Sequence, residues 1–261
     1  MSPSTRRLVP GVFVTEDLGA RQLKGVADAL RLTRAVRVGG VAPRLRVGRS
    51  SQTPLVGREL ELGLLHDRWT RASHGEGQGV IITGEAGIGK SRLVDAFHNA
   101  IGDMPHSWLD ASCSPYARSA PLNPVAELQR RGLGCSDGAP AAVKRQALHG
   151  ALTALAMDAD RGVDLLAALH NIPIEDSDDA EAAKFRRIEL LDLLSDWVVA
   201  LARLQPTVFF LDDLHWADPP TLDLLERLVD RVAFESLMLI VAARPDRPPL
   251  GEPTTTSPRS R

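Results

Sequence analysis

Cysteine, lysine, long apolar runs and an excess of charge of either sign are all scarce or missing in this sequence, and each shortage excludes a class of protein. Cys113 and Cys135 are its two cysteines, too few for a disulfide framework and without the spacing of a zinc site. A reducing cytosol is therefore the expected compartment. No stretch approaches the run of about 18 apolar residues that a membrane-spanning helix needs, so no membrane association is expected. Arg6 and Arg7 are followed by Glu16 and Asp17 before any apolar signal core could form. Acidic and basic residues nearly cancel, 33 against 31, for a net charge of −2. Neither the basic excess of a nucleic-acid binder nor an acidic tail is present, and direct DNA binding is not expected. No internal repeat occurs at a period of about 20–50 residues.

What is present fits an ordinary globular core. The 261 residues are 44% apolar and 25% charged, enough for one large domain or one domain with additions, and for a sizeable core without staples. Basic residues divide into 27 arginines and 4 lysines, so each lysine stands out. Three zones follow along the chain. Residues 8–38 hold two short β-like runs, Val12–Thr15 and Leu30–Val36, around the polar connector EDLGARQLKG. Residues 39–53, rich in Gly, Pro, Ser and Arg, read as a linker. From residue 54 to 246 strand-like and helical patterns alternate, and the Pro/Thr/Ser-rich tail, 247–261, reads as disordered.

Within the main zone Gly79–Thr83, Thr207–Leu211 and Leu237–Ala243 predict buried parallel strands, with a further strand at Ser107–Ala111. Leu93, Phe97 and Ile101 form one stripe of a helix starting at Lys90. Phe185, Ile188, Leu191, Leu194, Val198 and Leu201 form a longer stripe. Asp218, followed by Pro219 and Pro220, predicts an N-cap with proline in the first turn. Strands alternating with helices predict an α/β fold with a parallel sheet flanked by helices, preceded by a short N-terminal β segment.

The run GVIITGEAGIGKSRLVDAF carries the strongest chemical signal. Gly84, four residues, then Gly89, Lys90 and Ser91 meet the Walker A pattern between a strand and a helix. Gly84, Gly87 and Gly89 let the backbone wrap a phosphate with its N–H groups pointing inward. The helix start adds the positive end of its dipole. Lys90 is expected to reach the β- and γ-phosphates and the Ser91 hydroxyl to ligate Mg2+. A second signal is VFFLDDLHWAD, a buried strand ending in two aspartates, 122 positions after Lys90. Asp212 is expected to serve the metal and Asp213 to orient or deprotonate an attacking water; a solvated turn is the plainer reading of the same pair. Arg244, at the end of the third strand, either meets the γ-phosphate charge or is a surface arginine. His215 and Trp216 either touch the nucleotide or cover the core.

Together these stretches resemble the AAA-like, origin-recognition-related P-loop ATPase module of STAND signalling ATPases, as found in bacterial LuxR-type and cyclase-linked regulators. PLVGRELEL, GEAGIGKS, SPYARSAPLNPV, FRRIELLDLLSDW, LDDLHWADPPTLDLL and AARP follow in that family's order. The resemblance implies ATP and Mg2+ as ligands. It places Val56, Gly57 and Arg58 near the adenine, with Gly84, Glu85, Ala86, Gly87, Ile88, Gly89, Lys90, Ser91 and Arg92 around the phosphates. It also implies a protein partner or self-association and a role in signal transduction or transcription regulation, with slow ATP hydrolysis or nucleotide binding alone as the alternatives. LVPGVFVTEDLGARQLKGVADALRLTRAV resembles the last β segment of a class III adenylyl/guanylyl cyclase domain. That family's catalytic residues lie upstream of such a segment, so residues 1–38 are expected to be a remnant without cyclase activity. The ATPase family continues past the AARP strand to a fifth strand beside the Walker A strand, and then to a lid. Neither is found after Pro245, so the P-loop fold is expected to be C-terminally incomplete, with the Walker A strand as an open edge.

Overall fold

Two apolar runs, 207–212 and 237–243, are buried at every position, because they form the central strands of a sheet covered by helices on both faces. The computed structural model describes residues 13–21, 30–38, 56–102, 104–115, 120–135, 138–173 and 180–245. The expected linker at 39–53 and the tail at 247–261 lie outside the described residues. The chain divides into two units, Met1–Pro54 and Leu55–Arg261.

In the first unit β1 (Phe13–Arg21) pairs antiparallel with β2 (Leu30–Val38). The sequence pattern ends the first strand at Thr15, but the ladder carries it on through the polar residues, Glu16 facing Arg34 and Asp17 facing Thr33. An irregularity between Asp17 and Ala20 contains Gly19 at φ 72°, which lets an otherwise unpatterned segment stay in the strand. Cross-strand pairing outweighs the local pattern here.

In the second unit the order along the chain begins with α1 (Glu59–Ser73), β3 (Gln78–Thr83), α2 (Lys90–Ala100) and β4 (Ser107–Ser112). Helices α3 (Asn123–Gly132), α4 (Ala141–Ala154) and α5 (Ala159–Leu166) follow, then α6 (Ala180–Leu204), β5 (Thr207–Asp212), α7 (Pro219–Val232) and β6 (Leu237–Ala243). The four strands are parallel in the order β3-β6-β5-β4. Strand alternation sorts the core into two layers. Val208, Phe210, Met238, Ile240 and Ala242 pack against Leu65, Trp69, Leu93, Val94 and Phe97 of α1 and α2 and against Ile101, which follows α2. Phe209, Leu211, Leu239 and Val241 meet Leu194 and Val198 of α6 and Leu224 and Leu228 of α7 on the other face.

Among the described residues β3 is an outer strand, and its alternation is correspondingly half-exposed: Val80 and Ile82 face the α1/α2 layer while Ile81 is 55% exposed. The long α6 stripe is only partly buried. Leu191, Leu194 and Val198 are core, but Phe185 is 65% and Ile188 41% exposed. Ion pairs Arg187–Asp223, Arg227–Asp192 and Arg231–Asp196 join α6 to α7 in parallel register. Such exposed pairs add little stability; the Leu194, Val198 and Leu228 contacts carry the seam.

Gly77 makes the approach of α7 to β3 possible. A Cβ there would lie 1.7 Å from the Val232 carbonyl oxygen and 2.8 Å from that of Glu235. Both are backbone atoms with little room to retreat. Gly77→Ala is expected to destabilise the fold by about 3 kcal/mol or more, read as a lower urea midpoint.

Candidate functional site

The loop between β3 and α2 is shaped by its glycines. Gly87 and Gly89 have φ of 80° and 96°, a region that other side chains rarely enter, and Gly89 caps α2, whose first residue is Lys90. The loop base is tied to the sheet, since Gly84 N–H donates to the Ala243 carbonyl at 3.3 Å. A Cβ on Gly84 would meet the Ile88 side chain at 2.8 Å, so the loop closes tightly on itself. Lys90 Nζ donates to the carbonyls of Gly84 at 2.7 Å and Glu85 at 3.1 Å. Its ammonium therefore sits at the mouth of the loop, where a phosphate would compete for the same donors.

The strand order brings the two sequence motifs together. Ser91 Oγ donates to Asp212 Oδ2 at 2.7 Å, across 121 positions. Asp212 Oδ1 accepts the Asp213 N–H at 2.8 Å. Burial pushes the Asp212 carboxyl above its ordinary value; the Ser91 hydrogen bond opposes this, and the Asp213 and Asp110 charges add to it. A buried carboxylate beside a hydroxyl is a hard-oxygen pair of the kind Mg2+ takes together with phosphate oxygens and water. Two protein oxygens leave most of the octahedral shell of such an ion to phosphate oxygens and water. Ser91 and Asp212 fit that role.

The remaining residues fall into place unequally. Asp213 adopts φ 54°, and its half-exposed carboxylate lies 4.0 Å from His215 Nδ1. The His215 side chain is 5% exposed, its ring is 5.1 Å from that of Trp216, and Trp216 packs on the core. Arg244 directly follows Ala243 and so stands beside the base of the loop, half-buried. Glu85, Ala86 and Ile88 form the exposed loop crest, and Arg92 points from the first turn of α2 on its exposed side. Val56 and Gly57 are exposed. Arg58 reaches the loop: its guanidinium donates to the Ile88 carbonyl at 3.3 Å and to Glu61 at 2.7 Å.

Two features lay beyond sequence reasoning. Cys113 lies beside the acidic strand end, its N–H donating to the Asp212 carbonyl at 3.0 Å. Burial, with the charges of Asp218, Asp213 and Asp212, pushes its thiol up to about 12, so it stays protonated and unreactive. The second is the double reach of Asp218, legible in the sequence only as a helix cap. Its Oδ1 accepts Thr221 N–H at 3.0 Å and also Leu122 N–H at 3.2 Å, ahead of α3.

Residues 54–241 match the family model described as the AAA ATPase domain. Across 94% of its length the chain is 27% identical to an uncharacterized protein of Rhizobium meliloti (strain 1021). It spans 24% of that relative's length. No helix among the described residues is long and apolar enough to cross a membrane.

Proposed function

The chain belongs to the AAA ATPase domain family, and on that premise we propose that it is the Mg·ATP-binding regulatory module of a signalling ATPase. The observation that carries this reading is the 2.7 Å contact between Ser91 and Asp212, which unites a phosphate loop with an acidic strand end at one point. In this reading the N–H groups of residues 84–91 and the Lys90 ammonium hold the β- and γ-phosphates. Ser91 and Asp212 hold the magnesium ion, which when bound offsets phosphate charge. Arg58, with Val56 and Gly57, borders the base, its guanidinium already fixed to the loop at Ile88. Asp213 orients the attacking water and takes its proton, and Arg244 meets the charge that develops on the γ-phosphate. The regulatory role, in the manner of STAND or LuxR-type proteins, acts through a protein partner or a second copy. The cyclase-like segment 1–38 joins this module through 39–53.

Binding without turnover is a second reading, favoured by a specific observation. The Asp213 carboxylate is 49% exposed, so water has ready access to a group that hydrolysis would need to shield. Thermal melts and phosphate release on the 261-residue chain separate the readings. At a hundredfold excess over Kd, Mg·ATP is expected to add about 2.7 kcal/mol of stability. Stabilisation with phosphate release supports the ATPase and stabilisation alone supports the binding module. Neither effect removes both.

A further inference from the structure

The loop that follows the acidic strand end is tied to a second part of the fold by one carboxylate. Asp218 is 7% exposed and its oxygens take three donors. Oδ1 accepts Thr221 N–H at 3.0 Å and Oδ2 accepts Thr221 Oγ–H at 2.7 Å, which together cap α7. Oδ1 also accepts Leu122 N–H at 3.2 Å, across 96 positions. Leu122 is where α3 begins, its carbonyl taking the N–H groups of Val125 and Ala126. A cap alone needs only the Thr221 donors, so the reach to Leu122 calls for another explanation.

Backbone strain occurs at Leu122, at one end of this link, and at Asp213, five residues before Asp218. Leu122 has φ 56° and Asp213 φ 54°, left-handed conformations that cost energy outside glycine and persist only where their surroundings hold them. Leu122 is also 2% exposed, so its N–H has no access to water, and losing Asp218 would leave a buried donor unmatched. Between Asp213 and Asp218 lies only the short 3₁₀ turn Leu214–Trp216 and Ala217. Asp213 in turn donates its N–H to Asp212, the partner of Ser91. A continuous path of hydrogen bonds and a short, internally hydrogen-bonded loop therefore runs from the phosphate loop to the start of α3.

We infer that Asp218 is a positioning residue that couples the Asp212–Asp213 strand end to the α3 helix and the helices that follow it. A shift of the loop when a ligand engages Ser91 and Asp212 is passed through the Asp218 carboxylate to Leu122. The inference rests on the nucleotide-binding reading and deepens it, by naming α3 as the element that responds.

The test uses two substitutions of different reach in the full chain. Asp218→Asn keeps an oxygen for both N–H donors and places an amide against the Thr221 hydroxyl. Asp218→Ser keeps a good helix cap but is too short to span to Leu122. Hydrogen exchange is followed for the amides of residues 120–132 with and without Mg·ATP, beside thermal stabilisation by the same ligand. In wild type, Mg·ATP is expected to change exchange in this segment by about fivefold or more, the lower end of ordinary coupling between sites. Asp218→Asn is expected to behave alike. Asp218→Ser is expected to retain stabilisation by Mg·ATP while its exchange response falls below about twofold.

A serine variant that responds as wild type does would reduce Asp218 to a cap and overturn the coupling. Wild type that is stabilised by Mg·ATP yet unchanged at 120–132 would overturn it as well, whatever the variants do. Wild type without any stabilisation would instead sink the nucleotide-binding reading, and the coupling with it.

Discussion

Lys90→Ala is expected to lower Mg·ATP affinity by about tenfold to a hundredfold, the worth of a charge-assisted contact of about 1.5–3 kcal/mol. The loop geometry supports an effect on binding rather than folding. Lys90 Nζ is held by the Gly84 and Glu85 carbonyls at 2.7 and 3.1 Å, both at a part-exposed loop where water can replace the ammonium. The loss in stability should then stay near the net worth of ordinary hydrogen bonds, about 1 kcal/mol each. The loop glycines and the start of α2 remain, so residual binding through backbone N–H groups is expected to survive at high nucleotide concentration. Thermal melts across an ATP titration check this. Wild type and variant with matching stabilisation curves would show that the lysine does not meet a phosphate.

How much of this was legible beforehand depends on how local each signal is. The phosphate loop is written in consecutive residues, because Gly87 and Gly89 are needed where φ turns positive and Lys90 and Ser91 must open the helix. The β5 and β6 strands are equally legible, being apolar runs buried on both sides. Only the sheet order could bring Ser91 to Asp212, and a parallel α/β reading already implied such a sheet. By contrast, Phe185 continues a clean helical stripe, yet stands 65% exposed. Periodicity reports which face is apolar and not whether a neighbour covers it. The polar half of β1 is strand because β2 lies opposite, which no local pattern encodes. The bond from Asp218 to Leu122 joins residues whose types suit many other partners, so neither position advertises the other.

Asp212→Asn is expected to raise the melting temperature of the ligand-free protein near neutral pH while removing its response to Mg2+. Burial pushes this carboxyl above its ordinary value, with help from the Asp213 and Asp110 charges. The sign follows from which form is penalised: the ionised carboxylate costs more in the fold than in the unfolded chain. Its stability contribution is complete at low pH, where both states are protonated, and is lost as the pH rises through the folded-state value. Asparagine removes that cost without orphaning its neighbours. Its oxygen can accept the Asp213 N–H and its amide can donate to Ser91 Oγ, replacing the 2.8 and 2.7 Å contacts of the carboxylate. The gain in melting temperature should therefore shrink as the pH is lowered toward the ordinary carboxylate range. A neutral amide is a poor ligand for Mg2+, so the gain in ATP affinity that the metal brings should fall by about tenfold or more. Melts with ATP alone and with Mg·ATP, at neutral and acidic pH, test both halves. A variant less stable than wild type at neutral pH would contradict the burial argument. An unchanged Mg2+ response would place the metal ligand elsewhere than at the end of β5.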